Sequence, residues 1–257
     1  MDRRSFLRTN VGGSFLLGVA GGAAAGAAAM GAFQGPKARP GNTSHAQQGE
    51  DLVLWQIAYH ALGIKNPTYL DIGANDPILT NNTYVFYQQG CRGVLVEPNP
   101  ALWDSLATVR PGDVLLRAGI GPGVQREADF YVIGGTSHSL LNTFSKEDAD
   151  NVVARSGGRF SIEKVVKLPL LDVNQVMQTH WSGPPTVLSL DTEGFELPIL
   201  QSLDFKRYRP DVLCVDTLVF GTRRIKPEIL KFMASKNYEV RGGSFVNTVF
   251  VDKRHTA

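Results

Sequence analysis

The alternation of strand-like and helix-like runs is the feature that most restricts this chain. Between residues 68 and 120 the sequence reads TYLDI (68–72), TYVFYQQ (83–89) closed by Gly90, GVLVEP (93–98), PALWDSLATV (100–109) and DVLLRAGI (113–120). The first, third and fifth are short and mostly apolar. The second and fourth carry apolar residues at helical spacing. The pattern returns at PTVLSLD (185–191), ELPILQSL (196–203), DVLCVDTL (211–218) and KPEILKFMASK (226–236), where Pro227 suits a first helical turn. Units of this length in this order predict a parallel sheet with helices on both faces. EDLVLWQIAYHAL (50–62), with acids at its start and Gly63 past its end, predicts a helix against the domain, and VNQVMQTHW (173–181) predicts another. The tail YEVRGGSFVNTVFVD predicts two antiparallel strands that turn at Gly242-Gly243. READFYVIGG (126–135) and SIEKVVKLPLLDV (161–173) are β-rich, and the polar stretch between them predicts an insertion above the sheet.

The strand ends carry the chemistry. In an open parallel sheet, ligands bind outside the carboxyl ends of the strands, where strand order reverses. YLDIGAND ends a strand on Asp71 and follows it with Gly73, which frees the turn's φ angle and lets the backbone approach a ligand. The dinucleotide pattern G-x-G-x-x-G is absent, and no Gly-Lys-Ser/Thr follows, so neither a pyrophosphate loop nor a P-loop is present. A carboxylate at this place would repel pyrophosphate and suits a ligand with a cationic amine. Glu97 ends the next strand, where an acid can accept both hydroxyl protons of a ribose. The pair points to an adenosine-bearing ligand, with Pro98 and Asn99 placed to flank a base. Ala118 and Gly119 end the third strand with small residues that leave room for a flat ring. In LSLDTEGFELPIL, Asp191, Glu193 and Glu196 gather three carboxylates around Gly194. They suit an acidic pocket floor or a general base, and Glu196 equally suits a cap at the start of a helix.

Composition narrows the function classes. The net charge of +2 and the lack of a basic run interleaved with aromatics argue against a nucleic-acid partner. Cys91 and Cys214 fit no metal spacing and read as two buried thiols. No His, Asp or Glu group has metal-ligand spacing, so no metal is expected. The N-terminus stands apart. RRSFLR, with Arg3, Arg4 and Arg8, precedes 23 residues (11–33) without a charge. It resembles a twin-arginine export signal, and the weakly apolar Gly/Ala stretch fits that route. A retained membrane anchor through residues 11–33, with the domain outside, is the alternative, and a start codon placed too far upstream of a cytoplasmic enzyme is a third. The expected organisation is a signal or anchor over 1–33, a Pro/Gly/polar linker over 34–49, and one domain over 50–257.

YLDIGAND, NNTYVFYQQGCRGVLVEPNP, LLRAGIG, SHSLLNTFS and LSLDTEGFELPIL occur in the order and spacing of the FkbM-type methyltransferases, and FKRYRPDVLCVDT and NTVFVDKR match as well. The resemblance covers about residues 67–253, and D-x-E-G-x-E at Asp191, Glu193, Gly194 and Glu196 is its most specific part. It implies a class I, Rossmann-like fold, with a mostly parallel seven-stranded sheet and an antiparallel C-terminal hairpin. It implies S-adenosylmethionine as cofactor and methylation of oxygen, on a hydroxyl of a sugar or secondary metabolite. Carried over, it places Asp71, Gly73 and Asn75 around the methionine end, Glu97 on the ribose, Asn99 near the adenine and Gly119 in the base pocket. Asp191 faces the reacting centre with Glu193 beside it. Two positions depart from the family: Ser189 stands where Lys is common, and Asp216 where Glu is common. A hydroxyl acceptor must lose its proton, and Asp191, Glu193 and His138 (in the insertion) are the candidate bases. His60 and His180 sit on helical stretches and read as structural. An exported binding protein that keeps the fold without catalysis is the alternative from another class.

Overall fold

The computed structural model describes residues 43–122, 127–135, 141–219 and 222–256. The signal or anchor expected over 1–33 lies outside the described residues, as does His138. Among the described residues no helix is long and apolar enough to cross a membrane.

The first half supplies α1 (Glu50–Trp55, continued by a wider π-helical turn, Gln56–Ala61), β1 (Tyr69–Ile72), α2 (Tyr84–Gln88), β2 (Gly93–Val96), α3 (Trp103–Val109) and β3 (Val114–Leu116). Then come β4 (Gly119–Ile120), β5 (Glu127–Gly134), α4 (Lys146–Arg155) and β6 (Ser161–Leu171). The second half supplies α5 (Val173–His180), β7 (Val187–Leu190), α6 (Glu196–Ser202), β8 (Val212–Asp216), α7 (Pro227–Ser235), β9 (Tyr238–Gly243) and β10 (Asn247–Asp252). Seven strands form one sheet in the order β3-β2-β1-β7-β8-β10-β9. All neighbours are parallel except β10, which runs antiparallel to both β8 and β9. This is the expected Rossmann-like methyltransferase fold. From β1 the chain winds outward through β2 to β3, then returns to β1's other side at β7. The ends of β1 and β7 are therefore the point where strand order reverses.

Side-chain alternation divides the core into two layers. Leu70, Ile72, Val94, Val96, Leu188, Leu190, Leu213 and Val215 face α5, α6 and α7. Tyr69, Leu95, Val187, Val212 and Cys214 face α1 and α2. Asp71 falls on the second face by parity, which turns its carboxylate toward the start of α2. Cys91 and Cys214 are both buried in that layer and are not joined in a disulfide.

Four expectations change. The run 113–120 is not one strand. Ala118 N–H donates to the Leu116 carbonyl at 3.0 Å, closing a tight turn, and β4 leaves to pair with β6 in a separate three-stranded sheet, β4-β6-β5. The polar insertion contains a ten-residue helix, α4, capped by Ser145, whose hydroxyl accepts from Asp148 N–H. Gly242-Gly243 is not the hairpin turn. Both belong to β9, and the reversal runs through 244–246, closed by Ser244 N–H on the Asn247 carbonyl at 2.8 Å. Glu50 holds this reversal through Ser244 Oγ and Asn247 Nδ2. Last, the end of the expected linker is docked. Asp51 accepts from Ser44 Oγ (2.6 Å) and His45 N–H (2.7 Å), while Asn81 N–H donates to the His45 carbonyl. The two acids that open α1 thus tie down chain on either side of it.

Candidate active site

The ends of β1, β2, β4 and β7 surround one cavity, with walls from Gly73, Asn75, Glu97, Gly119, Phe130 and Asp191 among others. Asp71 and Glu97 are each buried by a different device, and Asp191 is half-buried. Thr83 Oγ donates to Asp71 Oδ2 at 2.6 Å. Burial pushes Asp71 up, against the Thr83 hydrogen bond and the nearby Arg110 charge. Arg110 itself is buried. It donates through Nε to Asp113 (2.8 Å), through Nη1 to Asn81 (3.0 Å), and through Nη2 to Tyr69 Oη (3.0 Å) and Thr83 Oγ (3.1 Å). A charge network therefore stands behind Asp71, out of reach of the cavity.

Glu97 is pinned at both oxygens. Asn75 N–H donates to Oε2 at 2.8 Å and Asn99 N–H to Oε1 at 2.7 Å. Burial, only partly offset by those two bonds, pushes its carboxyl up to about 7. Asn75 holds a left-handed φ of 53°, and its buried Oδ1 has no hydrogen-bond partner. A buried acceptor without a donor costs about 1–3 kcal/mol, so this atom calls for a ligand donor. Asn99 lies off the cavity wall. Its side chain accepts from Ala101 N–H at 3.1 Å and opens the turn before α3, so its part here is to present its N–H to Glu97.

Gly73 (φ 83°) makes its close approach to protein: a Cβ there would lie 1.8 Å from the Asp191 carbonyl oxygen. The glycine lets the β1 and β7 turns touch backbone to backbone. Gly73→Ala is expected to destabilise the domain by about 2–5 kcal/mol, combining left-handed strain with overpacking. Urea titration checks this, and a loss under about 1 kcal/mol would contradict the contact. Gly119 is likewise covered, by the Phe144 ring.

The Asp191–Glu196 turn is organised by its last residue. Glu196 Oε1 accepts from Thr192 N–H, Thr192 Oγ and Gly194 N–H, at 3.0, 3.0 and 3.1 Å. Its Oε2 accepts from Lys226 Nζ at 2.9 Å. Thr143 Oγ donates to the Glu193 carbonyl at 3.0 Å, tying the turn to the insertion. Glu193 is held at φ 52°, a conformation that costs a non-glycine residue about 1–2 kcal/mol. Burial and then the neighbouring acids push both Asp191 and Glu193 well above the carboxylate range. Carboxylate oxygens of Asp191, Glu196 and Asp216 lie within 4.8 Å of one another, a donor set that sequence spacing did not reveal. Lys226 already pairs with two of them, reaching Asp216 at 3.4 Å. Ser189 accepts from Asn82 Nδ2 at 3.2 Å. A second cavity, of about 220 Å³, opens on the far side of the turn between α4 and the end of β8. Glu193 lines both cavities.

Sequence reasoning missed Thr83, Arg110, Phe144 and Lys226. Thr83 sat inside the quoted NNTY run without a role. Nothing in the sequence marked Arg110 or Lys226.

No curated protein matches the chain. Among solved structures it is similar to a TehB-like SAM-dependent methyltransferase from Corynebacterium glutamicum, at 12% identity over 80% of this chain and 89% of that one, with a TM-score of 0.40. It is also similar to an O-methyltransferase from Bacillus cereus in complex with S-adenosylhomocysteine, at 11% identity over 79% and 78%, with a TM-score of 0.40. A third is the 1,6-didemethyltoxoflavin-N1-methyltransferase of Burkholderia thailandensis, at 12% identity over 80% and 77%, with a TM-score of 0.39. The model of the methyltransferase FkbM domain matches residues 71–240, more than half of the chain, including the ends of β1, β2, β4 and β7. The chain therefore belongs to the FkbM family of methyltransferases, whose methyl donor is S-adenosylmethionine.

Proposed function

We propose that the protein methylates a hydroxyl oxygen of a sugar or secondary metabolite. The observation that carries this reading is Glu193, a strained acid whose side of the turn is shared by two adjoining cavities. The first cavity fits the cofactor on the chemistry of its walls. Asn75 offers an unpaired acceptor, Glu97 a carboxylate fixed by backbone N–H groups, and Gly119, Ile120 and Phe130 an apolar slot. Asp71, Gly73 and Asn75 would hold the amino-acid end and Glu97 the ribose, with the base beside Gly119. When bound, S-adenosylmethionine supplies an electrophilic methyl group on a sulfonium that leaves as a neutral thioether.

The chain's own part is placement and proton removal. Asp191 and Glu193 stand where an acceptor from the second cavity would meet the first. Asp191 lines the first cavity alone, so Glu193 is the better placed to take the hydroxyl proton, onto a carboxylate oxygen. Its raised proton affinity makes it a stronger base than an ordinary glutamate. The leader expected over 1–33 supports export as a companion proposal, and fusing residues 1–42 to a folded reporter would test it.

Calorimetric titration of the full chain with S-adenosylmethionine and S-adenosylhomocysteine tests the cofactor site. Glu97→Ala is expected to abolish binding, and unchanged affinity would sink the assignment. Affinity is also expected to depend on pH. The ribose hydroxyls donate to an ionised carboxylate, so binding should be level above about 7 and fall as pH drops through it. The ligand-free domain has the opposite trend. Glu97's raised proton affinity contributes stability that is complete below the unfolded carboxylate value and is lost as pH rises through about 7. Calorimetry at pH 6 and 8 and urea titrations at the same two values would show both signs.

A further inference from the structure

We propose that the second cavity is the acceptor site, and that α4 reads an extended, neutral, polyhydroxylated chain there: a saccharide of at least two residues. This rests on the methyltransferase reading above.

Asp148, Asn151 and Arg155 line the cavity from α4. Their spacing of three and four residues puts them on one helix face. At 1.5 Å per residue, that face spans about 10 Å, longer than one sugar ring. The three side chains make no hydrogen bond or ion pair to any described residue, although each is planar and able to bond at two points. A carboxylate accepts twice, an amide accepts and donates, and a guanidinium donates as a fork. Neighbouring hydroxyls on a sugar present the matching paired donors and acceptors. On the adjoining face of α4, Ala149 and Val152 are buried with Ile133, and Val152 also lines the cavity, so the helix is fixed with its polar face beside that cavity. Leu141, Leu218 and Val219 add apolar wall for the C–H faces of a ring.

The site has a direction. Asp148 Oδ2 lies 2.8 Å from where a Cβ on Gly194 would stand, so this end of α4 abuts the Glu193–Gly194 turn. Arg155 lies two turns further along the helix. The residue to be methylated would sit between Asp148 and Glu193, and the rest of the chain would run toward Arg155. Charge sets the class of that first residue. Asp148, Glu193 and Asp216 surround it, and the nearby cation, Lys226, is already paired with Glu196 and Asp216. A sugar acid would be repelled there, whereas a neutral sugar would not.

The test uses the full chain with S-adenosylmethionine and a panel of mono-, di- and trisaccharides of glucose, galactose, mannose and rhamnose, with the matching uronic acids and a simple phenol as controls. Methyl transfer is followed by product mass, and S-adenosylhomocysteine affinity is measured separately. The expected result is kcat/KM at least about tenfold higher for a di- or trisaccharide than for its monosaccharide, with uronic acids poor at the reacting end. Asn151→Ala and Arg155→Ala, both at exposed positions, should each raise KM for the longer saccharide about 5- to 20-fold. Monosaccharide KM and S-adenosylhomocysteine affinity should stay within twofold. Methylation of the phenol but of no saccharide, or unchanged KM in both variants, overturns the proposal and leaves the methyltransferase reading standing. Failure to bind S-adenosylhomocysteine overturns that reading, and this proposal with it.

Discussion

Glu193→Gln is expected to lower kcat by about 10²- to 10⁴-fold, the range a positioned general base supplies, with S-adenosylhomocysteine affinity held within about threefold. Glutamine keeps the size of the side chain, and the left-handed backbone is set by others: Glu196 gathers the turn's N–H groups, and Thr143 holds the Glu193 carbonyl. The substitution should therefore remove the proton acceptor and little else. Wild-type kcat should rise with pH until Glu193 is ionised, because burial and the neighbouring acids keep it protonated well above the carboxylate range. That limb should vanish in the variant. Asp191→Asn provides the contrast. If Asp191 carries the proton instead, its variant will lose the limb and Glu193→Gln will keep it. A Glu193→Gln enzyme within tenfold of wild-type kcat would sink the assignment.

Periodicity made the sheet legible, because β1, β2, β7 and β8 are buried on both faces and read as short apolar runs between helices. Strand-end acids made the cavity at the ends of β1, β2 and β7 legible, because a buried carboxylate after an apolar run has few structural excuses. The misses have physical reasons. The helix α4 is mostly polar, with buried contacts at Ala149 and Val152, so its period is faint; its real signal was the Ser145 cap with an acid three residues on. Gly242-Gly243 looked like a turn because the pair is a turn signal, yet Glu50, nearly 200 residues earlier, fixes the reversal at 244–246. Gly73 was read as making room for a ligand, and it makes room for the Asp191 carbonyl. Lys226 was invisible because tertiary folding brings its partners to it, and so was most of Arg110's role: Asp113 is three residues away, but Asn81, Tyr69 and Thr83 come from far along the chain.

Arg110→Ala is expected to cost about 3–5 kcal/mol of stability, the range for breaking a buried ion pair by removing one partner. Both side chains of the Arg110–Asp113 pair are fully buried. Without the guanidinium, Asp113 keeps Tyr69 Oη and the Gly93 N–H as donors but loses its counter-charge. Lysine cannot stand in, since one ammonium cannot reach Asp113, Asn81, Tyr69 and Thr83 as the fork does. Arg110→Lys should recover less than half of the loss. Urea titration reads the change in midpoint at constant slope. The site should respond as well. Thr83 receives a hydrogen bond from Arg110 and gives one to Asp71, so the variant loosens the donor that holds Asp71 at the cavity wall. Weaker S-adenosylhomocysteine binding in whatever fraction remains folded is the expected companion. A loss under about 1 kcal/mol would mean that solvent relieves Asp113 after the truncation, and the network would then matter for position rather than stability.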